Sequence, residues 1–434
     1  MKRLIQNILF FLAVYWVLIY DNSRMLDNVP TQQFVRIFRI PREVRMLELL
    51  SLTGITFYLI AGNFRRKMMP VILAFSGFFL IGVGGILLNH ISASAFQDLF
   101  IRIVPFLLFI SSAIVGVKEQ HLEQGSKVFL AFIGASVFIA FALQLPYTFY
   151  FEDFISGFFA NAHNFATWLS IISIVFFYDY VTTRKFTSLL VSVVSIAFSV
   201  LPSNEKVFFF TLIILASMFM KHVVGNWTKL KRNAFYTCLV LIFLAGIFKV
   251  RQFLEGDSGG RLLIAINHGL PNLGPVAAWP IAFQEITASP LRLAGGVGAG
   301  QYGWIAAGRD VAEGKGSIHS NQFDIEFSTE NLNNSGFLFR TNTWSSLLAE
   351  YGWLGFIMFS VLLWLIVNGV RQAVPQSRLE ANLRIAFFAI VGLVIFQGFF
   401  TPYSNWSESV LMFPAMFIAS YFFNPIRKSA RQEI

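Results

Sequence analysis

The sequence is poor in charged residues and in cysteine, and both shortages narrow the class of protein. Charged residues make up 13% of the 434 residues, about half the share found in soluble domains, so lipid is the expected main solvent. The one cysteine, Cys238, excludes an intramolecular disulfide framework and a cysteine-based metal site. The net charge of +10 comes from scattered basic residues, which favours cytoplasmic loops over nucleic-acid binding.

Hydrophobic residues, by contrast, make up 56% of the chain. Apolar windows of about 17 to 25 residues, long enough to cross a bilayer, recur along it. No small-residue cleavage site follows the first window, so we expect that window to be a membrane helix. We therefore predict an all-α, polytopic membrane protein with about twelve transmembrane helices. The windows lie near 5–20, 47–62, 69–89, 98–117, 128–147, 164–181, 186–201, 206–220, 234–250, 344–369, 383–400 and 407–424.

The distribution of lysine and arginine between these windows predicts an orientation. With the N-terminus in the cytoplasm, the inner loops are basic, while loops 89–97, 148–163 and 401–406 contain no lysine or arginine. This pattern follows the positive-inside rule. The arginine-rich segment 21–46 is the exception, and we expect it to lie along the lipid surface. An even number of helices places both termini inside and the long loop outside.

The chain is thus expected to have three parts: residues 1–250 with nine helices, a large extracytoplasmic loop at 251–343, and residues 344–434 with three helices and a cytoplasmic tail. Short helices are predicted at Leu262–Ile266 and Val276–Ile286, the latter with Trp279, Phe283 and Ile286 at helical spacing. Turns are predicted at Pro290 and over Gly295–Gly300. Long ordered loops are usually functional.

Three basic residues are candidates for binding an anion. Arg261 follows two glycines and suits bidentate phosphate binding, although pairing with Asp257 or Glu255 is the ordinary alternative. Lys206 begins a helix after a tight outer turn, where it either faces an anionic lipid or extends to the headgroups. Arg102 lies inside a predicted membrane helix, where charge is a functional candidate by default.

For Arg102 the ordinary alternative is an i,i+4 ion pair with Asp98. Where the loop meets the next helix, Thr341 or Asn342 can cap that helix. Two turns later, Glu350 is either a buried structural carboxylate or a group that orients Arg340 or another cation. Gly352 and Gly355 permit close helix contact.

Other polar motifs carry weaker signals. The run from Gly295 to Gly300 lacks a following Lys-Ser/Thr and a βαβ context, which disfavours a nucleotide site. His163 is expected at the outer interface. His319 lies near Asp324 and Glu326, but the spacing is not diagnostic of a metal site. We predict no metal and no cofactor.

Three motifs in the chain resemble the O-antigen ligase and O-antigen polymerase superfamily of bacterial integral membrane glycosyltransferases. The first motif is similar to the family's Ser-Gly-Arg, Trp and Pro-Leu-x-Gly-x-Gly-x-Gly/Phe run. It consists of Ser258-Gly-Gly-Arg261, then Trp279, then Pro290-Leu with Gly296-Val-Gly-Ala-Gly-Gln-Tyr302. Ser203-Asn-Glu-Lys206 stands where many members have Ser-Arg. Thr341-Asn342, nine residues and Gly352-x-x-Gly355 resemble the ligase signature His-Asn/Ser/Gln, nine residues, Gly-x-x-Gly.

Two departures separate the chain from the ligases. Thr341 stands where ligases carry histidine, and Lys206 replaces the usual arginine. Polymerases of the superfamily share no strict histidine and rely on arginines in outer loops. The resemblance therefore favours a polymerase over a ligase.

The resemblance implies glycosyl transfer at the periplasmic face of the bacterial inner membrane. The donor would be a polyprenyl-diphosphate-linked glycan and the acceptor either a second lipid-linked repeat or lipid A–core. Arg261, Lys206, Arg340 and Arg102 are the expected cations for the leaving diphosphate, whose charge fixed cations would stabilise. Glu350, His319 or His163 would be the base. Membrane lipids are expected partners and nucleic acid is not. Whether a partner protein, a chain-length regulator, controls the length of the polymer is left open.

Two other classes compete with the glycosyltransferase. A polysaccharide flippase would place charged or broken-helix sites near the midplane of two related halves, and no such repeat is present. A purely structural role as a scaffold would not explain why Gly259-Gly-Arg261 and the glycine-rich run lie in one loop.

Overall fold

The computed structural model describes residues 2–15, 42–62, 68–89, 93–144, 162–200, 205–222, 274–299, 302, 342–399 and 411–423. Every regular element in these ranges is helical, which confirms the predicted all-α class. The helices are α1 Lys2–Tyr15, α2 Arg42–Gly62, α3 Met69–Asn89, α4 Ala93–Val115, α5 Glu119–Ile139, α6 Ala162–Thr183, α7 Phe186–Val200, α8 Glu205–His222, α9 Gly274–Thr287, α10 Pro290–Gly295, α11 Thr343–Gln372, α12 Arg378–Gln397 and α13 Met412–Phe422.

Some of these helices are long and apolar enough to cross a membrane. Among the described residues, five helices are long and apolar enough to cross a membrane, and six further apolar helices are shorter. Eleven of the twelve predicted windows coincide with a helix, and window 234–250 lies outside the described residues. The number of crossings and the sidedness of the loops stay predictions. The five long helices are Met69–Leu88, Glu119–Ala142, Asn164–Thr183, Thr343–Gln372 and Arg378–Gln397.

Some predicted boundaries were wrong because apolar windows miss polar helical turns. Helix α5 begins at Glu119 rather than near residue 128, and an i,i+4 pair joins Lys127 Nζ to Glu123 Oε1 at 2.7 Å in its polar first turns. Pro290 was predicted to form a turn, but it is the first residue of α10, where a missing N–H is tolerated. The side chain of Ser289 caps that helix by accepting the Arg292 N–H at 3.2 Å.

Helix α4 lies at the centre of the bundle. Its residues from Ile103 to Val115 provide one continuous run of buried side chains, and the helix packs against α1, α2, α3 and α13. At its end, the Gly116 carbonyl accepts the Gln6 amide from α1 at 2.5 Å. Since α4 is buried on all sides here, Arg102 in its third turn lies inside the protein rather than in lipid.

Small polar residues allow α6 and α7 to approach closely. Ser173 Oγ donates to the Ser192 carbonyl at 3.0 Å, and Ser192 Oγ donates to the Ser173 carbonyl at 2.9 Å. Such small-residue contacts are typical of helix pairs in membranes. On another side of α6, the Gln397 amide of α12 donates to Thr167 Oγ1 at 2.7 Å.

An ion pair joins α6, α7 and α12 near the end of the bundle where α4 ends. Asp179 accepts hydrogen bonds from Arg378 Nε at 2.6 Å, Ser188 Oγ at 2.5 Å and Asn382 Nδ2 at 3.2 Å. Its side chain is 3% exposed, whereas that of Arg378 is 47% exposed. Beside it, Ser377 Oγ donates to Glu119 at 3.0 Å, directly after α4. We call this group the α6–α12 clasp.

Candidate functional site

Helix α11 is interrupted at Gly352, which has φ 61° and ψ −170°. The interruption divides α11 into a first part, Thr343–Tyr351, and a second part, Trp353–Gln372. Every residue from Thr343 to Gly352 is buried. Asn342 caps the first part, since its Oδ1 accepts the Ser345 N–H at 2.8 Å and its own N–H donates to Ser345 Oγ at 3.1 Å.

The glycine-rich segment after α10 satisfies the backbone at this interruption. Val297 N–H donates to the Ala349 carbonyl at 2.8 Å, and Gly298 N–H donates to the Glu350 carbonyl at 3.0 Å. Carbonyl groups at the end of a helical segment need such partners, especially away from water. The segment therefore ends the first part of α11 in the way that a following turn ends an ordinary helix.

Glycine is required at two of these positions by close backbone contact. A Cβ added to Gly296, which has φ 75°, would lie 2.3 Å from the carbonyl carbon of Glu350. A Cβ added to Gly352 would lie 2.5 Å from the Ala294 carbonyl oxygen. The two glycines allow α10 and α11 to meet backbone to backbone. Within the glycine run predicted to turn, Gly295 ends α10, Gly296–Ala299 is non-helical and packs on α11, and Gly300 lies outside the described residues.

A buried ion pair lies at the same level. Arg102 Nη2 of α4 contacts Glu350 Oε2 of α11 at 2.6 Å, and the two side chains are 9% and 5% exposed. The guanidinium carbon also lies 5.8 Å from the centre of the Tyr351 ring. Tyr351 in turn stacks on Phe78 of α3, with ring centroids 4.6 Å apart. Three helices thus hold one arginine in a fixed position.

Backbone irregularity surrounds this pair on both helices. Pro105 follows Arg102 by one turn and cannot donate to the Ile101 carbonyl, so α4 is also weakened there. Glu350 lies at the C-terminal end of the first part of α11, where the helix dipole disfavours a carboxylate. The cation of Arg102 offsets that effect. We call Arg102, Glu350 and the segment Gly296–Ala299 the helix-break site.

A second pair lies next to the helix-break site and was not foreseen. Glu285 of α9 is completely buried, and its Oε2 lies 3.4 Å from Arg292 Nη1 of α10. The helix predicted at Val276–Ile286 is present as α9, and of its apolar residues at helical spacing Ile286 is buried, whereas Phe283 is 41% exposed. The face that packs on α11 instead carries Ala282, whose cluster includes Val297, Tyr302 and Ala349. The sequence signal that could have predicted this pair is Glu285, a single carboxylate within a mostly apolar helix.

The structure brings together two of the predicted site residues, Arg102 and Glu350. The predicted local partner of Arg102, Asp98, has a side chain outside the described part of the chain. The same holds for the side chains of Lys206, the second residue of α8, and His163 of α6. Candidates Arg261, His319 and Arg340 also lie outside the described residues, and so does the short helix predicted at Leu262–Ile266. Their roles stay predictions.

Within the described ranges, no group of three or more histidine, cysteine, aspartate or glutamate side chains is arranged to hold a metal ion. No protein-family model and no curated protein matches the chain. The class that fold and site define is an all-helical protein with several helices able to cross a membrane and a buried ion pair at a broken helix.

Proposed function

We propose that the chain is an inner-membrane glycosyltransferase that polymerises polyprenyl-diphosphate-linked oligosaccharide repeats into O-antigen or a related surface polysaccharide. The observation that carries this proposal is the meeting of two motifs that resemble the O-antigen ligase and polymerase superfamily. The described residues of the glycine-rich run, Gly296–Ala299 and Tyr302, pack against Ala349–Gly352 at the helix-break site, although the two motifs lie apart in the sequence.

The packing also supplies a physical reason for the glycines in both motifs. Gly296 and Gly352 are the positions where the two backbones approach most closely. Gly355 permits a close approach to α3, since a Cβ there would lie 3.3 Å from Ile81 Cγ2. The glycines that resemble the family motifs are the ones this local structure requires. This agreement supports the proposal that the chain and the family share the architecture of the site.

We propose twelve transmembrane helices, cytoplasmic termini and a periplasmic helix-break site. Contacts between helix ends support this topology, because they join ends that the basic-residue pattern assigns to one side. Ser377 with Glu119 and Arg378 with Asp179 join predicted cytoplasmic ends. Arg102 with Glu350 joins predicted periplasmic ends. About 20 Å of α4 separates Arg102 from its end at Val115, so the two groups lie at opposite ends.

In the proposed reaction, an acceptor hydroxyl oxygen attacks the anomeric carbon of the donor sugar. The bond from that carbon to the diphosphate oxygen breaks, and the polyprenyl diphosphate leaves with the electron pair. Arg261, Lys206 and Arg340 stabilise the diphosphate, and Arg102 adds to the positive field from its fixed position. Because Glu350 already binds Arg102, we assign it to positioning that arginine. The hydroxyl proton then passes to His319 or His163.

The ligase reaction on lipid A–core is the second candidate. It is favoured by one observation, that Asn342 and the glycines of the ligase signature all have defined structural roles at the start and the break of α11. Thr341 in place of the signature histidine favours the polymerase. A flippase is the alternative from another class.

A glycan profile of the native strain with this gene deleted tests these assignments. Polymer reduced to a single repeat on lipid A–core indicates a polymerase. Full-length polymer on the polyprenyl carrier, with bare lipid A–core, indicates a ligase. Bare lipid A–core with accumulated single lipid-linked repeats indicates a flippase, and an unchanged profile contradicts all three.

Complementation then tests the residues. Wild type and Arg371→Ala, an exposed arginine at the other end of α11, should restore the polymer. Arg261→Ala should not restore it at equal protein abundance. Full restoration by Arg261→Ala would remove that residue from the site.

A further inference from the structure

Helices α9 and α10 expose apolar side chains although they belong to a segment that the sequence places in an aqueous loop. Phe283, Leu291 and Leu293 are 41%, 55% and 40% exposed. The ring of Phe283 lies 6.2 Å from that of Trp279 on one side and 6.2 Å from that of Trp353 of α11 on the other. A contiguous exposed apolar patch marks a contact with another protein or with a membrane.

The second part of α11 indicates what that partner is. Its exposed side chains Trp353, Ile357, Val361 and Trp364 follow one another at helical spacing and form a stripe along one face. Helix α11 is among the candidate membrane spans, so this stripe is its lipid-facing side. Trp353 is the stripe's first residue and contacts Phe283, so the exposed apolar surface continues from α11 onto α9.

The length of α11 gives the depth of this contact. Trp353–Gln372 rises about 30 Å at about 1.5 Å per residue, which matches the hydrocarbon core of a bilayer. If that part spans the core, the break at Gly352 and the aromatic pair Trp353–Phe283 lie at its boundary. Tryptophan and other aromatic residues are enriched at this level of membrane proteins.

Helix α9 also has a second exposed face of different character. Gln284 is exposed and polar, and it lies about 100° around the helix from Phe283. The third face, with Ala282 and Glu285, is buried against the protein. A helix with one buried, one exposed apolar and one exposed polar face is suited to lie in a membrane interface.

We infer that α9 and α10 lie in the membrane interface, with Phe283, Leu291 and Leu293 inserted among lipid hydrocarbon chains and Gln284 facing water. This membrane contact is separate from the spanning helices. It adjoins the helix-break site, because α10 ends at Gly295 and Ala282 of α9 packs with Val297 and Ala349. The inference does not depend on the proposed glycosyl transfer, because it concerns only where the two helices lie.

Nitroxide accessibility measures this position directly. The full chain with Cys238→Ser is reconstituted into phosphatidylethanolamine–phosphatidylglycerol vesicles, with a spin label at Phe283→Cys, Leu291→Cys, Gln284→Cys or Trp364→Cys. Phe283 and Gln284 are neighbours and form the matched pair, and Trp364, 60% exposed on the α11 stripe, is the lipid reference. Collisions with apolar oxygen and with a polar nickel chelate are recorded for each label.

Labels at Phe283 and Leu291 should collide readily with oxygen, although less often than the label at Trp364, which lies about 16 Å deeper along α11. Their collision rate with the nickel chelate should be at least about tenfold below that at Gln284, because polar groups partition strongly away from hydrocarbon. Chelate collisions at Phe283 equal to those at Gln284 would place α9 in water and overturn the inference. Low rates for both reagents at Phe283 would mean a protein contact and would overturn it as well.

Discussion

Two of the arginine–carboxylate pairs in the described part of the bundle differ in the way that separates a structural contact from a site. In the α6–α12 clasp, Arg378 is 47% exposed, and Asp179 also accepts hydrogen bonds from Ser188 and Asn382. In the helix-break site, Arg102 and Glu350 are both less than a tenth exposed. The first pair joins regular helix ends, whereas the second lies where α11 is broken and α4 contains a proline.

This difference indicates that the Arg378–Asp179 pair serves only to hold helices together. Polar side chains from neighbouring helices surround Asp179, and water can reach Arg378, so packing alone accounts for the clasp. A broken membrane helix around a buried charge is expensive to maintain, and such features occur at substrate and ion sites of membrane proteins. The helix-break site is therefore the part of the described chain to which we assign function.

The largest expected effect is from breaking the buried pair. Arg102→Ala leaves Glu350 buried without its cation, and we expect the free energy of unfolding to fall by about 3–5 kcal/mol. A denaturant titration of the purified protein in mixed micelles measures this change. The double variant with Glu350→Gln should recover part of the loss, with a coupling energy of about 1–3 kcal/mol. Strictly additive effects would mean that the pair does not interact.

The backbone contact at the helix break should be nearly as sensitive. Gly352→Ala combines a left-handed backbone with an overlap against the Ala294 carbonyl, so we expect a loss of about 2–4 kcal/mol. Gly392→Ala in α12 is the matched control, because nothing lies within 4 Å of the added Cβ there. That control should be neutral or slightly stabilising. An equally mild Gly352→Ala would show that α11 is not held in this broken form.

A smaller effect is expected at the clasp. Arg378→Ala removes one partner of Asp179 but leaves the hydrogen bonds from Ser188 and Asn382, and the arginine is already partly in water. We expect a loss of about 1–2 kcal/mol in the same titration. A loss as large as that of Arg102→Ala would remove the contrast between the two pairs.

The smallest effect is expected at the exposed pair of α5. Lys127 and Glu123 have side chains that are 73% and 51% exposed, and they contribute as an ordinary i,i+4 pair. Lys127→Ala should change the free energy of unfolding by about 0.5 kcal/mol or less. This variant sets the baseline against which the other losses are read, and a loss above about 1 kcal/mol would show that the titration reports more than local contacts.

Much of the fold follows from the sequence because apolar length and helix formation are local properties. The windows predicted nearly every described helix, and Asn342 and the glycines were recognised as cap and contact residues. The partner of Arg102 was not predictable, since Glu350 is brought to it only by the packing of α4 on α11. Local spacing offered Asp98 instead. The face of α9 that packs inward was also missed, because it buries Glu285 and exposes Phe283.

The most direct test of the central claim compares the two arginines in one assay of function. Arg102→Lys and Arg378→Lys keep their charges but lose the planar guanidinium, and each is expressed in the deletion strain at equal abundance in the membrane. We predict that Arg378→Lys restores the full glycan polymer, whereas Arg102→Lys leaves mostly single repeats on lipid A–core. Full restoration by both variants, or failure of both, would contradict the assignment of function to the helix-break site.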